Sequence, residues 1–493
     1  MTPPNILFVT LDQFRADALS LAAHPLVETP HLDALARHGT WFANHYAQAA
    51  PCAPGRAALY TGTYQMNNRV VANGTPLDDR FDNVARMARR AGHQPVLFGY
   101  TDQGVDPRLV DDPSDPRLST YEGILPGFEV GLDLPGHSRP WLEWLDALGY
   151  HVRDAGTMLA SEAERPAEHS ISAFLTDRMV EWLSRAEHPF LLHASYLRPH
   201  PPFSAPGEYA TRYAPEDCPP PVPATPEPDW LHAALLRHPL TAGPTDPGKV
   251  ARMQAQYFGL VTHVDQEVGR LLAALDELGL AANTVVVVTS DHGEQLGDQG
   301  LREKCGYFPS SYAVPLIVAD PRKPAGQVVR APTEAVDVLP TLSELLEVPV
   351  PLQCDGLPLT PWLEGEDAAD AWRRAVHYEW DWRDTLIPRG EFPWPTDRRL
   401  EHCGLVVQLG ARRAYVQFGN GDALGFDVAA DPTWRTPIED PAVLLAEAQQ
   451  MLAWRAQHTE RTMTGYLLRE GGIGRRPPEP AGDLVVSRRG GTR

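Results

Sequence analysis

The residues best suited to chemistry in this sequence are polar side chains that directly follow short apolar runs. Four runs are typical of strands, at residues 6–11, 95–99, 190–195 and 284–289. The polar groups that follow them are Asp12 and Gln13, then Tyr100, Thr101 and Asp102, then Arg198 and His200, and last Asp291 and His292. Because ligands of open parallel sheets bind beyond the carboxyl ends of the strands, we expect these side chains to converge on one edge.

Several side chains of this set are of types that bind metal ions. Asp12, Gln13 and Asp291 offer oxygen ligands, and His292 offers a nitrogen. This mixture suits one divalent cation, such as Mn²⁺, Ca²⁺, Fe²⁺ or Zn²⁺. Taken alone, Asp12 is more simply explained as a helix cap, and His292 equally well as a turn residue beside Gly293. The repetition of such groups at four strand ends favours the metal site.

A cysteine stands in the most distinctive local segment of the chain, residues 51–62, which read PCAPGRAALYTG. The segment predicts a short helix with Cys52 at its N-terminus, where unpaired backbone N–H groups favour an anion or a thiolate. For an isolated cysteine, a thiol packed beside a proline turn is the simpler alternative. The residues of this segment alone leave both interpretations open.

The elements that would position these groups indicate an α/β fold. The apolar runs, with a fifth at residues 315–318, alternate with helical stretches, which is typical of a large, mostly parallel central sheet flanked by helices. One helix is predicted from Thr29 to Gly39 and another from about Val250 to Leu278, because apolar residues recur there at helical spacing. The four valines of residues 285–288 indicate a central strand buried on both faces.

The pattern changes after about residue 370. Residues 405–408 and 414–418 predict a hairpin around Gly410, and a last helix begins at Asp440. We therefore divide the chain into a catalytic α/β unit, a smaller C-terminal α+β unit and a mobile tail, which cover residues 1–370, 371–470 and 471–493.

Composition argues against several classes of function. The 493 residues include 43 Lys and Arg against 64 Asp and Glu, a net charge of −21. This charge argues against a nucleic-acid binder and against docking on an anionic membrane. No apolar stretch is long enough to span a bilayer, and we expect no signal peptide. The five cysteines are scattered without C-x-x-C spacing, so we expect neither a disulfide framework nor a zinc knuckle. We do expect a cytoplasmic location.

The segment around Cys52 resembles the sulfatase signature, C-x-P-x-R followed by A-x-L-x-T-G, in which a modifying enzyme converts the cysteine to formylglycine. Further segments resemble the same family in the same order, at residues 11–17, 198–203 and 289–298. The family belongs to the alkaline-phosphatase-like superfamily. Within it, the sequence is most similar to the phosphonate monoester hydrolases, which are also phosphodiesterases, because Asp12-Gln13 stands where typical sulfatases have two adjacent acids. Residues 64–67, 99–101, 200–203 and 377–384 look like that subgroup too.

The resemblance implies a role for individual residues. The metal ligands would be Asp12, Gln13, Asp291, His292 and the modified Cys52. Arg56 would hold the hydrated formylglycine. The transferred group and the leaving oxygen would be surrounded by Asn73, Tyr100, His200 and Lys304.

Two departures from the subgroup concern the substrate. Asp102 stands where these hydrolases carry a small hydroxyl residue, and an acid there would disfavour a dianion. Gln299-Gly300 replaces a histidine-rich pair. Both departures bear on substrate preference rather than on the class of reaction.

The resemblance therefore implies a metal-dependent hydrolase of phosphonate monoesters and phosphodiesters, with a formylglycine nucleophile made from Cys52 and with promiscuity toward sulfate esters. The alternatives are an aryl- or choline-type sulfatase and a catalytically silent relative that binds a metal or an anion. The expected partners are a small anionic ester and the formylglycine-generating enzyme, with no nucleic acid and no membrane. The resemblance also implies a homo-oligomer, such as a tetramer that uses an arm from Thr462 onward.

Overall fold

The computed structural model describes residues 3–134, 138–187, 189–366, 368–369, 372–386 and 403–459. Its strands are β1 Asn5–Leu11, β2 Thr40–Phe42, β3 His45–Tyr46, β4 Ala49–Ala50, β5 Gln94–Gly99, β6 Glu129–Asp133, β7 Phe190–Tyr196, β8 Thr284–Thr289, β9 Leu316–Ala319, β10 Gln327–Val329, β11 Thr333–Glu334, β12 Ala375–Asp381, β13 Gly404–Gly410, β14 Arg413–Phe418 and β15 Ala423–Asp427. Its helices are α1 Pro30–His38, α2 Cys52–Thr61, α3 Gln65–Asn68, α4 Val84–Arg90, α5 Arg139–Ala147, α6 Ala155–Ala160, α7 Ile171–Leu183, α8 Trp230–Leu235, α9 Pro247–Glu277, α10 Val338–Leu345, α11 Thr360–Leu363, α12 Arg383–Leu386 and α13 Pro441–Gln457.

An eight-stranded sheet forms the centre of the molecule, with the strand order β10–β2–β9–β8–β1–β7–β5–β6. Within this sheet the pairs β2–β9 and β8–β9 are antiparallel and the other neighbouring pairs are parallel. The predicted mostly parallel α/β fold is confirmed. The strands predicted to carry site residues, β8, β1, β7 and β5, are consecutive neighbours, so their carboxyl ends lie side by side at one edge.

Helices cover both faces of this sheet because its central strands are apolar on both faces. Along β1, Leu7 and Val9 pack into one hydrophobic cluster and Ile6 and Phe8 into another, which is the two-residue alternation of a strand. The first cluster includes residues of α1, α7 and α9, and the second includes residues of α2, α4 and α10. The sheet therefore holds α2, the helix that begins at Cys52, against one of its faces.

The two helices predicted from apolar spacing are both present. α1 ends at His38, directly before the predicted stop at Gly39. α9 begins slightly before the predicted start at Val250, because Asp246 caps the helix by accepting hydrogen bonds from the backbone N–H groups of residues 248 and 249. Its apolar side chains, among them Val261 and Val264, are buried as predicted.

A second, five-stranded sheet has the order β15–β14–β13–β12–β4. The predicted hairpin is confirmed as β13 and β14. The strand β12 was not predicted from the sequence. It pairs in parallel with β4, through Glu379 with Ala49 and Trp380 with Ala50. Because β4 ends just before Cys52, the C-terminal sheet holds the chain segment that leads into α2.

Three expectations about the chain ends and membranes have different outcomes. The mobile tail at 471–493 and the oligomerisation arm from Thr462 lie outside the described residues, and the division at residue 370 stays a prediction. Among the helices of the described part of the chain, none has both the length and the apolar character needed to cross a membrane.

Candidate active site

The predicted convergence at the sheet edge is confirmed by hydrogen bonds between residues from different strands, except for Arg198, which pairs with Glu162 instead. The backbone N–H of Gln13, after β1, donates to Asp291 Oδ1, after β8, at 3.2 Å. The hydroxyl of Tyr100, after β5, donates to Asp12 Oδ2 at 2.6 Å. Ser195, at the end of β7, accepts a hydrogen bond from Arg56 at 2.8 Å. Residues from four neighbouring strands and one helix therefore form a single site.

A cluster of side chains of the types that can hold a metal ion lies at the centre of this site. Asp12, Cys52, Asp291 and His292 are all buried, and each offers one ligand atom, with the four atoms within 4.8 Å of one another. Asp12 Oδ1 is buried and has no hydrogen-bond partner among the described residues. A buried oxygen without a partner is costly, and a cation bound there would remove that cost. This arrangement favours the metal interpretation of Asp12 over the helix cap.

His292 is oriented as metal-binding histidines usually are. Its Nδ1 lies 3.0 Å from the carbonyl oxygen of Gly293, which can only accept, so Nδ1 carries the proton. Nε2 then faces the cluster with its lone pair, 3.3 Å from Cys52 Sγ and 3.6 Å from Asp291 Oδ2. Burial lowers the pKa of His292 in spite of the nearby Asp291, which keeps the ring neutral and able to bind a cation.

Cys52 is the first residue of α2, as predicted. The first turn of the helix is held by two amide side chains: Asn73 Oδ1 accepts from the N–H of Ala53 at 3.0 Å, and Gln103 Nε2 donates to the carbonyl of Ala53 at 2.9 Å. Of the two interpretations of Cys52 that the sequence leaves open, the structure favours the buried thiol over a thiolate. Burial, aided by the negative charge of Asp12, raises the pKa of the Cys52 thiol well above its usual value.

Arg56, one turn further along α2, connects the carboxylates of the cluster. Its Nε donates to Asp291 Oδ2 at 2.9 Å and one terminal nitrogen donates to Asp12 Oδ2 at 3.1 Å. Its guanidinium also lies over the ring of Tyr100, 4.4 Å from the centroid. These contacts orient the two acids. The role of Arg56 in holding a hydrated formylglycine stays a prediction.

Gln13 and Lys304 contact each other directly. The ammonium of Lys304 donates to Gln13 Oε1 at 2.7 Å, and the amide nitrogen of Gln13 donates to the buried carboxylate of Glu294. Although burial opposes it, proximity to the Cys52 sulfur and the negative charges of Glu303 and Asp12 raise the pKa of Lys304 well above its usual value. The ammonium is therefore kept beside the site, and the role of Gln13 as a metal ligand stays a prediction.

His200 lies in the loop after β7 and interacts electrostatically with Lys304, Asp12 and Glu303. Burial, followed by the positive charge of Lys304, lowers the pKa of His200 to about 4. Its Nδ1 lies 2.6 Å from the carbonyl of Pro201, so the neutral ring donates there. His200 is thus neutral at pH 7 and adds no positive charge to the site.

Several residues that shape the site were not singled out from the sequence. Ser195 and Tyr60 accept hydrogen bonds from Arg56, and Glu294 accepts one from the side chain of Gln13. Burial raises the pKa of Glu294 to about 7, with Glu303 adding to the shift. Tyr60 follows Arg56 by four residues, a spacing that places both on one helix face and could have signalled the contact.

Gly55 allows α2 to approach the strand end that carries Asp291. A Cβ at this position would lie 2.5 Å from the carbonyl oxygen of Asp291 and 2.9 Å from that of Ala49. Both obstacles are backbone atoms, so no side chain can move aside.

We expect Gly55→Ala to push the start of α2 away from Asp291, lowering the free energy of unfolding by about 2 kcal/mol and separating the ligand cluster. Denaturant unfolding and metal content measure the two effects. Gly74→Ala is the control for glycine replacement, because a Cβ there would meet nothing within 4 Å, although its φ of +98° adds local strain. Full metal binding by Gly55→Ala would contradict the expectation.

Comparison with known proteins connects this geometry with a family of hydrolases. The family described as Sulfatase matches residues 4–348. The multifunctional alkaline phosphatase superfamily protein PehA of Trinickia caryophylli is 36% identical over 507 residues, which covers 94% of this chain and 98% of the relative. The phosphonate monoester hydrolase of Agrobacterium radiobacter, known from a crystal structure, is 38% identical in sequence and superposes with a TM-score of 0.85. The match covers 96% of this chain and 100% of the hydrolase chain. The phosphonate monoester hydrolase SpPMH from Silicibacter pomeroyi is 34% identical, with a TM-score of 0.85 and coverage of 96% and 99%.

Proposed function

The chain belongs to the sulfatase family, and from that premise we propose that it is a metal-dependent hydrolase of phosphonate monoesters and phosphodiesters. The observation that carries the proposal is the buried cluster of Asp12, Cys52, Asp291 and His292, with Arg56 bonded to two of its carboxylates. The similarity to phosphonate monoester hydrolases along nearly the whole chain supports this substrate class.

The donor atoms of the cluster fit one divalent cation. Two carboxylates and a neutral imidazole, with Asp12 Oδ1 left without a partner in the described residues, form a mixed oxygen and nitrogen set of the kind that binds Mn²⁺, Ca²⁺, Fe²⁺ or Zn²⁺. When bound, such an ion stabilises negative charge on a phosphoryl oxygen and lowers the pKa of a bound hydroxyl. Asp12, Asp291 and His292 would hold it, with Gln13 as a further candidate ligand.

Position 52 would carry the nucleophile. The sulfur of Cys52 occupies the place where the family resemblance puts the oxygens of a formylglycine hydrate, whose two geminal hydroxyls supply one group for attack and a second to release the product. Cys52 as a thiol is a poor nucleophile here, because burial raises its pKa. This observation supports conversion of the residue before catalysis.

The remaining side chains would orient the site and stabilise charge. Arg56 and Tyr100 fix the carboxylate of Asp12 by hydrogen bonds at 3.1 and 2.6 Å. The ammonium of Lys304 would stabilise charge on a leaving oxygen and donate a proton to it. His200, neutral at pH 7, would contact the substrate as a hydrogen-bonding group, and Asn73 would hold the first turn of α2.

A second candidate function is an aryl- or choline-type sulfatase, because the family that matches most of the chain is the sulfatase family. Promiscuity toward sulfate esters is part of our proposal, since the site recognises charge and tetrahedral shape. A catalytically silent relative is the least supported alternative, because each role in the reaction has a candidate residue.

A substrate panel tests the proposal. Metal-loaded protein with verified formylglycine is assayed on 4-nitrophenyl phenylphosphonate, a 4-nitrophenyl phosphodiester and 4-nitrophenyl sulfate, which share one leaving group. We expect kcat/KM for the phosphonate and the diester to exceed that for the sulfate by roughly tenfold or more. The reverse order would favour the sulfatase. No turnover of any of them would favour the silent relative.

Partners and location remain part of the proposal. We propose that the chain is a substrate of a formylglycine-generating enzyme, binds small anionic esters rather than nucleic acid or membranes, and assembles as a homo-oligomer such as a tetramer. The net charge of −21 supports the exclusion of polyanionic partners. A cytoplasmic location is proposed from the sequence alone.

A further inference from the structure

The carboxylate of Asp102 is an acidic group at the site. It is not part of the ligand cluster, and it takes part in no hydrogen bond within the described residues. Asp102 lies in the loop after β5, with a φ of 53°, and is only 5% exposed. The cation nearest to it is Arg56, whose Nε is 3.7 Å from Asp102 Oδ2. That same Nε already donates to Asp291 at 2.9 Å. Asp102 is therefore a nearly buried carboxylate that accepts no hydrogen bond within the described part of the chain.

The charge of Asp102 reaches the position of the nucleophile. Burial and the charge of Asp12 are the main causes of the raised pKa of Cys52, and Asp102 adds to them. A substrate bound at position 52 must therefore approach this carboxylate. Each further negative charge on the substrate increases the repulsion, which is weakly screened because the site is buried.

The cationic side chains at the site already donate hydrogen bonds to residues other than Asp102. Arg56 is hydrogen-bonded to Asp12 and Asp291, so it offers Asp102 only the longer contact. Lys304 donates to Gln13 and lies 3.7 Å from Glu303. The charge of Asp102 is thus compensated only in part by the side chains around it.

We propose that Asp102 is a specificity-determining residue that disfavours dianionic esters relative to monoanionic ones. The inference rests on the proposed function and names its substrate class. Phosphonate monoesters, phosphodiesters and sulfate monoesters carry one negative charge and are favoured. Phosphate monoesters carry two charges in alkaline solution and are disfavoured.

The pH of the test follows from the groups that face Asp102. Burial raises the pKa of Asp102 to about 7, Arg56 lowers it, and Asp12, Asp291 and Glu122 raise it. A carboxylate with a raised pKa is charged above that value, so the repulsion is complete at alkaline pH and weakens as pH falls. Assays at an alkaline pH near 9 keep Asp102 ionised.

The backbone of Asp102 decides which variants are informative. Asparagine removes the charge, keeps the shape and tolerates a positive φ, whereas a β-branched hydroxyl residue would be strained there. Asp102→Asn is therefore the main variant, and Asp102→Gly is the second, because glycine accepts the same φ without strain. Asp112→Asn is the control for net charge, since Asp112 is exposed and its side chain accepts hydrogen bonds only from Ser114 among the described residues.

The kinetic test compares 4-nitrophenyl phosphate, a dianion, with 4-nitrophenyl phenylphosphonate and 4-nitrophenyl sulfate, both monoanions, on metal-loaded protein. In Asp102→Asn and Asp102→Gly we expect the ratio of kcat/KM for phosphate to that for phosphonate to rise by roughly tenfold or more. The sulfate-to-phosphonate ratio should change by less than about threefold. Asp112→Asn should leave both ratios as they are in the protein without substitutions.

A binding measurement provides a readout that does not depend on turnover. In the Cys52→Ala background, calorimetry with inorganic phosphate should show roughly tenfold tighter binding when Asp102→Asn is added. Unchanged phosphate-to-phosphonate ratios in both Asp102 variants, with unchanged phosphate binding, would overturn the inference. If the formylglycine-containing protein without substitutions failed to hydrolyse the phosphonate, that result would instead overturn the proposed function.

Discussion

Cys52→Ala is expected to abolish turnover of every ester while the protein still folds and binds its metal. The loss should be about 10⁴-fold or more, because the variant has no group that can form the covalent intermediate. Folding should persist because alanine is a good helix former and the only hydrogen bond of the Cys52 side chain in the described residues is with His292 of the ligand cluster. Steady-state kinetics, thermal unfolding and metal content together measure the prediction.

Cys354→Ala is the matched control for this change. Cys354 is also buried, and its sulfur lies 3.8 Å from the carbonyl of Thr61, at the opposite end of the same helix. The control should lose stability through the cavity it leaves, but it should keep kcat. Near-normal turnover by Cys52→Ala would refute a covalent mechanism at this position, whatever the control does.

Asp12→Asn is expected to remove the metal and, with it, activity. In the structure, Asp12 Oδ2 accepts hydrogen bonds from Arg56 and Tyr100, and Oδ1 has no partner among the described residues. The asparagine oxygen can take over the two bonds, which leaves the amide NH₂ at the place where a cation would bind. We expect turnover to fall by roughly 10³-fold, which corresponds to several kcal/mol of lost charge stabilisation.

Stability separates this effect from simple unfolding. Although burial opposes ionisation of Asp12, nearby positive groups such as Arg56 lower its pKa, so the metal-free variant should be less stable than the metal-free protein with Asp12 but should still be folded at the assay temperature. Asp320→Asn serves as the control, because Asp320 is a buried aspartate paired with Arg322 outside the site. A variant at position 12 that retains one metal per chain and normal activity would contradict the assignment of Asp12 as a ligand.

The parts of the fold that could be predicted from the sequence depend on local patterns. The strands β1, β5, β7 and β8 are short apolar runs, and such runs alternating with helices indicate a parallel sheet whose carboxyl ends meet. That reasoning correctly brought Asp12, Tyr100 and Asp291 together. The position of Cys52 at a helix start also followed from its neighbours, because Pro51 and Pro54 suit a first turn.

Other features depend on contacts between distant segments and left no local signal. β4 is only two residues long, so its pairing with β12 could not be predicted from periodicity. Gly55 is required by the approach of the Asp291 carbonyl, which no pattern around residue 55 reveals. The raised pKa of Cys52 and the lowered pKa of His200 come mainly from burial, which depends on the assembled fold.

The central claim, that Cys52 is converted to the nucleophile of an ester hydrolase, is tested most directly by the mass of the peptide that contains residue 52. Preparations with different degrees of conversion are assayed on 4-nitrophenyl phenylphosphonate, and the fraction of that peptide with the aldehyde mass is measured in each. We predict that kcat rises in proportion to the aldehyde fraction and extrapolates to zero for the thiol. Full activity in a preparation that contains only the thiol would contradict the claim.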